Sequence, residues 1–356
     1  MASMFSYCPL LKNIDLTNFD TSSTVYMYGM FLECNSLESL DLSHFNTKNV
    51  QTMTYMFENC NNLRKLDISK FNTEKVDNMA EMFSGCISLT SLDLSSFNTK
   101  SVTRMDYMFR NCNSLQYVDV SSFEGDKITS MNAMFQNCHK VTSIILEKFE
   151  TISLYDMELA FQNCTCLRRL DISKLVTSQI TSMKNVFENC NSLETLDIYS
   201  FDTSLTTTMQ NLFKGCSSLT SIKLNPEYFD TSMVYSMNSM FSDCKLLSSL
   251  DLSHFDTTKV TDMSRMFYNC NSLSDLRVGF NTEKVKLMPG MFAYCNELKE
   301  LDIRTFKTLN CINIDDMFEN CTGLELYLNE NSCSNLIENL PDYVNYHNVN
   351  KRLKNI

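Results

Sequence analysis

Residues 50–73 read VQTMTYMFENCNNLRKLDISKFNT, and this pattern recurs along nearly the whole chain. Thirteen cysteines mark the same position in successive copies, at a spacing of 26 residues from Cys8 as far as Cys216. The later spacings are 28, 26, 25 and 26 residues, because residues 225–228 include a two-residue insertion and one residue is lost before Phe280. All 24 phenylalanines occupy two fixed places in the same frame. The chain is therefore a tandem repeat, in which each unit buries its apolar side against its neighbours.

Two hydrophobic periodicities follow each other within every copy. Met53, Phe57 and Cys60 recur at steps of three or four residues, which predicts one face of a short helix. Asn, Gly or Asp precedes the cysteine in most copies, and these residues tolerate the left-handed backbone that ends helices. Leu40 and Leu42 alternate with polar residues, as in a short strand with one buried side. The predicted fold class is α/β, a solenoid with a parallel sheet on the concave side and short helices on the convex side.

The repeat pattern predicts two segments. Residues 1–332 form about 12 to 13 tandem repeats, and residues 333–356 form a C-terminal cap and tail, because the pattern stops there and Pro341 follows. Met4 and Phe5 already occupy repeat positions, so the N-terminal end is predicted to be uncapped. An uncapped apolar end is costly, which predicts a fragment of a longer array.

Composition and motifs exclude several function classes. The net charge of −12 repels phosphate, so no nucleic-acid partner is predicted. No stretch approaches the roughly 20 apolar residues that span a bilayer, so no membrane insertion is predicted. A nucleophile elbow, a P-loop, a zinc-protease helix motif and a dinucleotide fingerprint are all absent from the sequence. We therefore expect neither catalysis nor a cofactor.

The repeat resembles that of a known family. The segments CNNLRKLDISKFNT at residues 60–73 and VTDMSRMF at residues 260–267 are similar to the 26-residue repeat of BspA-like leucine-rich-repeat proteins of bacterial surfaces. The resemblance covers roughly residues 4–325. It implies a leucine-rich-repeat solenoid in a secreted or surface-displayed protein that adheres to host proteins or neighbouring cells. The chain shows no secretion signal or anchor, so a cytoplasmic location is the alternative.

The repeated cysteine is predicted to be a buried thiol. Neighbouring copies would lie about 5 Å apart with parallel side chains, whereas a disulfide needs Cβ atoms about 3.8 Å apart and converging. Zinc is not expected, because no C-x-x-C pair occurs. Cys166 and Cys333 lie off this row and are the candidates for exposed or reactive thiols. The predicted structural cysteine ladder comprises Cys34, Cys60, Cys86, Cys112, Cys138, Cys164, Cys190, Cys216, Cys244, Cys270, Cys295 and Cys321.

A row of outward aspartates accompanies the predicted strands. It leaves two interpretations open: a solvated acidic row bonded by flanking Ser and Thr hydroxyls, or a face that attracts cationic groups or calcium. The members are Asp15, Asp41, Asp67, Asp93, Asp119, Asp171, Asp197, Asp251 and Asp302.

Interruptions of the strand pattern suggest where a partner binds. Bulky apolar or basic residues replace Ser, Thr or Asp at some outward positions, and aromatic anchors among polar neighbours are typical of protein interfaces. Random drift among exposed positions is the alternative explanation. The predicted partner-binding residues are Tyr117, Asp119, Ile145, Arg169, Asp171, Tyr199, Lys223 and Arg277.

The sequence therefore predicts a non-catalytic protein-binding or adhesion module that binds through its concave sheet. The alternative is an intracellular scaffold or structural spacer with buried free thiols. No metal and no particular oligomeric state are predicted.

Overall fold

The computed structural model describes residues 1–348. Its contacts divide the chain into two compact units. The first unit comprises residues 1–180 and 190–201, and the second comprises residues 181–189 and the chain from residue 202 onward.

The strands of the first unit are parallel and recur with the repeat, although the copy at residues 91–93 is not a strand. They are β1 (Ser39–Asp41), β2 (Lys65–Asp67), β3 (Tyr117–Asp119), β4 (Ser143–Ile145), β5 (Arg169–Leu170) and β6 (Thr195–Asp197). β1 pairs with β2, and β3, β4 and β5 form one sheet in that order. The backbone N–H of Glu194 donates to the carbonyl of Arg168 at 3.3 Å, which places β6 beside β5. In β1 and β3 the central residue is buried and its two neighbours are exposed, since side chains alternate along a strand.

The second unit repeats this construction and ends in a short helix and a further strand. Its elements are β7 (Ser221–Lys223), β8 (Ser249–Leu252), β9 (Asp275–Val278), β10 (Glu300–Asp302), β11 (Glu325–Leu328), α1 (Glu330–Ile337) and β12 (Asn345–Asn348). β8 pairs with β9, and β10, β11 and β12 are parallel neighbours. The predicted leucine-rich-repeat solenoid with parallel strands is therefore confirmed in each unit.

The prediction of short helices was wrong. The segment that leads to the cysteine, residues 53–60 in one copy, is a series of tight turns, which we call the turn segment. The N–H groups of Tyr55, Phe57 and Asn59 donate to carbonyls of the next repeat, at 3.0, 3.0 and 2.7 Å. The N–H of Cys60 closes a turn on the carbonyl of Phe57 at 3.1 Å. Successive turns of this kind give apolar residues the same spacing of three to four that a helix would give, which explains the error.

Two residues of each turn segment are left-handed. In this copy they are Tyr55, with a φ of 58°, and Asn59, with a φ of 57°. The left-handed backbone predicted before the cysteine is confirmed, and it also holds at Gly85, with a φ of 74°. It does not end a helix, since α1 is the single helix among residues 1–348. Instead, it lets alternate N–H groups point to the following repeat.

Phenylalanine rings form the core of each unit. The rings of Phe57 and Phe83 stack at 5.7 Å with an interplanar angle of 6°, and those of Phe241 and Phe267 at 5.6 Å and 3°. All four side chains are fully buried. Because equal rings recur at equal positions, each repeat covers the ring of its neighbour.

A buried threonine at the corner after most strands adds a polar connection between repeats. The hydroxyl of Thr47 donates to the carbonyl of Asn72 at 2.9 Å and accepts the N–H of the same residue at 2.7 Å. The hydroxyl of Thr308, in the last repeat, instead donates to Asn335 of α1, whose amide returns a hydrogen bond to the Thr308 carbonyl at 2.8 Å. α1 thus occupies the place of a further repeat at this corner.

The predicted boundary at residue 332 lies inside α1, and the division into repeats and a cap stays a prediction. Residues 349–356 of the predicted cap and tail lie outside the described residues.

Candidate functional site

The exposed side of the strands, which we call the strand face, carries the aspartate row. Oδ1 of Asp41 accepts the N–H of Ser43 at 2.9 Å. Oδ1 of Asp93 accepts both the N–H and the hydroxyl of Ser95, at 3.0 and 2.6 Å. These hydrogen bonds lower the pKa of Asp41 and Asp93, so both stay ionised. The aspartates therefore close the turn that follows each strand, as the first of the two interpretations requires.

The second interpretation included a calcium site as well as the attraction of cationic groups, and the latter stays a prediction. Within residues 1–348, no three or more His, Cys, Asp or Glu side chains converge in a way that could hold a metal ion.

Five of the predicted binding residues lie together in the first unit. Tyr117 of β3 and Arg169 of β5 flank Ser143 of β4 in one row across the sheet. In the neighbouring row, Asp119 lies opposite Ile145, and Asp171 follows β5. Tyr117 exposes 51% of its surface, while Ile145 is partly buried. We call the set Tyr117, Asp119, Ile145, Arg169 and Asp171 the strand site.

Two recesses border the strand site. One has a volume of about 350 Å³ and is lined by Ser143, Ile145, Glu147, Arg169, Asp171 and Lys174 among others. The other has a volume of about 400 Å³ and is lined by Ser91, Asp93, Ser95, Tyr117, Asp119 and Ser121 among others. Both volumes fall in the range of about 300–1,000 Å³ that is typical of ligand pockets, and both open on the strand face.

The remaining three predicted residues lie elsewhere. Tyr199 follows β6 in the first unit, is 47% exposed, and its N–H donates to Oδ1 of Asp197 at 3.0 Å. Lys223 ends β7 and Arg277 lies on β9, both in the second unit. The Arg277 guanidinium lies 3.6 Å from a carboxylate oxygen of Asp275. Six of the eight predicted residues thus belong to the first unit and two to the second.

The ladder cysteines are buried thiols that bind the preceding repeat. Sγ of Cys60 donates to the carbonyl of Phe31 at 3.2 Å, and Sγ of Cys112 to that of Phe83 at 3.1 Å. Burial raises the pKa of the Cys86 thiol to about 12, so it stays protonated and able to donate. Thiols with such an acceptor are Cys34, Cys60, Cys86, Cys112, Cys138, Cys164, Cys190, Cys216, Cys244, Cys270, Cys295 and Cys321. The sequence indicated small apolar groups here and gave no sign of the hydrogen bond.

The two off-row thiols differ from each other. Cys166 is exposed, as predicted. Cys333 is fully buried in α1, and its Sγ donates to the carbonyl of Phe306 at 3.4 Å, so the prediction of an exposed or reactive thiol was wrong there. Its irregular sequence position concealed that it faces the last repeat.

A third recess, in the second unit, was not predicted. It has a volume of about 630 Å³ and lies between Pro226 of the two-residue insertion and His254, with Asp251 and Arg277 also in its lining. The insertion in the repeat pattern was the available signal, since an added residue at a strand end changes the local surface.

The comparison with protein-family models covers almost the whole chain. The model of the family described as "Mycoplasma protein of unknown function, DUF285" matches residues 1–89, 60–167, 140–248, 220–277 and 247–355. The chain belongs to this family. No curated protein matches it.

Solved structures similar to this DUF285 protein include three bacterial leucine-rich-repeat proteins. The one from Bacteroides ovatus is 17% identical over 91% of this chain and 87% of its own, with a TM-score of 0.45. The one from Eubacterium ventriosum is 12% identical over 87% of both chains, with a TM-score of 0.41. A leucine-rich cell surface protein from Faecalibacterium prausnitzii is 14% identical over 89% of this chain and 78% of its own, with a TM-score of 0.34. At these identities the likeness concerns the fold only.

α1 has eight residues, and no helix within residues 1–348 combines the length and apolarity that crossing a bilayer requires.

Proposed function

We propose that this DUF285 protein is a non-catalytic repeat module that binds a polypeptide partner through the strand site. The observation that carries the proposal is the exposed ring of Tyr117 on β3 beside the partly buried side chain of Ile145 on β4. Equivalent positions of other repeats carry polar or charged residues, such as Ser39 and Asp41 in β1 and Lys65 in β2. Apolar side chains at the surface contribute favourable free energy to binding when a partner buries them.

The free energy that each buried side chain contributes indicates how large the contact with the partner must be. Burying one large apolar side chain contributes about 1.5–3 kcal/mol. A micromolar complex needs about 8 kcal/mol, so Tyr117 and Ile145 act as anchors within a broader contact. Tyr199, which follows β6 of the same unit, and the polar side chains of Asp119 and Asp171 extend the surface. In the second unit, Lys223 and Arg277 are proposed as separate partner contacts.

A triple variant, Tyr117→Ala, Ile145→Asp and Tyr199→Ala, tests the placement. Peptides are selected on the wild-type full chain from a phage-displayed library of random 12-residue peptides, and their dissociation constants are measured for both proteins. We expect the variant to fold normally, because Asp at position 145 restores the residue common in other repeats. The selected peptides should bind it at least about tenfold more weakly, since two anchors are lost.

A control changes residues of the same types and the same unit that are at least as exposed and lie off the strand face. It carries Tyr26→Ala, Ile152→Asp and Tyr155→Ala, whose side chains are 54%, 59% and 55% exposed. Equal peptide affinity for the wild type and the strand-site variant, or equal loss in the control, would refute the placement.

We further propose that the module belongs to a BspA-like surface or secreted protein and that its partner is a host or neighbouring-cell protein. The strand site supports the proposed protein partner, because it is a surface suited to protein contact. An intracellular scaffold or spacer is the competing proposal, favoured by the twelve hydrogen-bonded thiols, because thiols persist in reducing compartments. Protease treatment of intact cells separates the two, since only a displayed module would be cleaved.

A further inference from the structure

Arg169 differs from several other arginines of the chain in having no carboxylate beside it. Arg104 lies 2.7 Å from Asp106, and Arg277 lies near Asp251 and Asp275. Arg169 is exposed and makes no ion pair with any residue that the structure describes.

The carboxylate of Asp171, two residues after Arg169 and just beyond β5, accepts a hydrogen bond from a different group. Its Oδ1 accepts the N–H of Ser173 at 3.0 Å. The guanidinium of Arg169 is therefore available to a group from outside the chain.

The row across the sheet leaves space next to this guanidinium. Adjacent strands lie about 4.8 Å apart, so Tyr117 and Arg169, two strands apart, are separated by roughly 10 Å. The residue between them is Ser143, whose side chain is small. Ile145 supplies an apolar surface in the neighbouring row. A side chain that enters over Ser143 would contact the aromatic ring on one side and the guanidinium on the other.

We infer that the strand site recognises an acidic–hydrophobic segment of its partner: a carboxylate bound by Arg169, next to an aliphatic or aromatic side chain that packs on Tyr117 and Ile145. A guanidinium binds a carboxylate through two parallel hydrogen bonds, which a lysine cannot form. In an extended segment, residues on one side are two apart, so the acidic and apolar residues should lie within two positions of each other. This inference rests on the proposed function and names the partner chemistry of the same site.

The recess of about 350 Å³ that Arg169 lines also contains Glu147, Asp171 and Lys174. Its two carboxylates could attract a basic segment, which is therefore the competing occupant. The Lys174 ammonium lies 3.9 Å from Glu150, and both side chains are more than half exposed, so this pair is weak.

The test uses the random 12-residue library as its probe, selected separately on the wild-type full chain and on Arg169→Glu. The wild type should enrich Asp or Glu within two positions of Leu, Ile, Val, Phe or Tyr. Arg169→Glu should enrich Lys or Arg at the same place. Peptides selected on the wild type should bind Arg169→Glu about 10- to 100-fold more weakly, and Arg169→Lys several-fold more weakly.

Lys65→Glu is the matched control. Lys65 holds the same repeat position on β2, outside the recess, and undergoes the same charge change. It should leave the peptide affinities unchanged.

Each other outcome overturns the inference in a distinct way. Peptides that lose binding to the strand-site triple variant but bind Arg169→Glu unchanged would overturn the acidic preference and keep the proposed function. Peptides that are insensitive to both would overturn both. Enrichment of basic peptides on the wild type would point to the competing occupant, and no enrichment at all would also count against the inference.

Discussion

At the scale of single residues, the stacking of repeats brings glutamate carboxyl groups of three successive copies together around Glu58. Its half-buried carboxyl lies in a turn segment of the first unit, near Glu81 and Glu33. Burial, and then the charges of these two carboxylates, raise the pKa of Glu58 to about 7. Burial also raises the pKa of Glu81. Glu58 therefore gives up its proton near neutral pH, and the ionised form is the costly one.

This predicts a pH-dependent effect of Glu58→Gln. Between the ordinary glutamate pKa of 4.5 and about 7, the folded protein holds a proton that the unfolded chain has lost. The contribution of Glu58 to stability is thus full below pH 4.5 and is lost as pH rises through about 7. Urea unfolding should show Glu58→Gln more stable than the wild type at pH 8, by about 1 kcal/mol after allowance for solvent exposure, and nearly equal to it at pH 5.

The same substitution at the exposed Glu74, which also lies in the first unit, is the control for the loss of one carboxylate. A stability difference between Glu58→Gln and the wild type that stays constant from pH 5 to pH 8 would contradict the account.

At the scale of elements, the turn segment departs most from the sequence prediction. Tyr55 is left-handed at its centre, with a φ of 58°, and the same repeat position is held by Gly29 and Gly290, with φ of 55° and 58°. Glycine adopts this conformation without steric cost, whereas other residues pay about 1 kcal/mol or more.

Replacement of Tyr55 therefore distinguishes the turn segment from a helix. In the turn segment, Tyr55→Gly should be more stable than Tyr55→Ala by about 1 kcal/mol, because the glycine relieves the left-handed backbone. In a helix, the order would be reversed by a similar amount. Both variants lose the same tyrosine contacts, so the comparison isolates the backbone. A more stable alanine variant in urea unfolding would contradict the observed turns.

The strands and the core could be predicted from the sequence because their signals are periodic. Leu40 and Leu42 alternate with exposed residues, and both are buried in the structure. The turn segment could not, since the spacing of Met53, Phe57 and Cys60 fits both a helix and successive turns. The left-handed backbone at Asn59 was predicted from its residue type. Nothing in the sequence indicated that Tyr55 also has a left-handed backbone.

The candidate site could be predicted only in part. Breaks in the repeat pattern identified Tyr117, Ile145 and Arg169, which the register of β3, β4 and β5 brings together. Their relation to Ser143, a residue that fits the repeat pattern, depends on that register and was not visible. The hydrogen bonds of the thiols were likewise missed, because an apolar position does not disclose which carbonyl faces it.

At the scale of the whole chain, the two units share one construction. In each, backbone groups, buried threonines and thiols connect one repeat to the next, and the strand face remains exposed. Repeat proteins of this kind bind partners over a surface that several repeats supply. The strand site fits this arrangement, since its five residues come from three successive strands.

Hydrogen–deuterium exchange of the full chain, with and without a saturating peptide selected on it, tests the central claim most directly. The account predicts slower exchange in residues 116–121, 142–147 and 168–174, which contain β3, β4, β5 and the strand site, and unchanged exchange in the turn segments at residues 105–112 and 131–138. Protection of those turn segments, with the three strand regions unaffected, would contradict binding through the strand face.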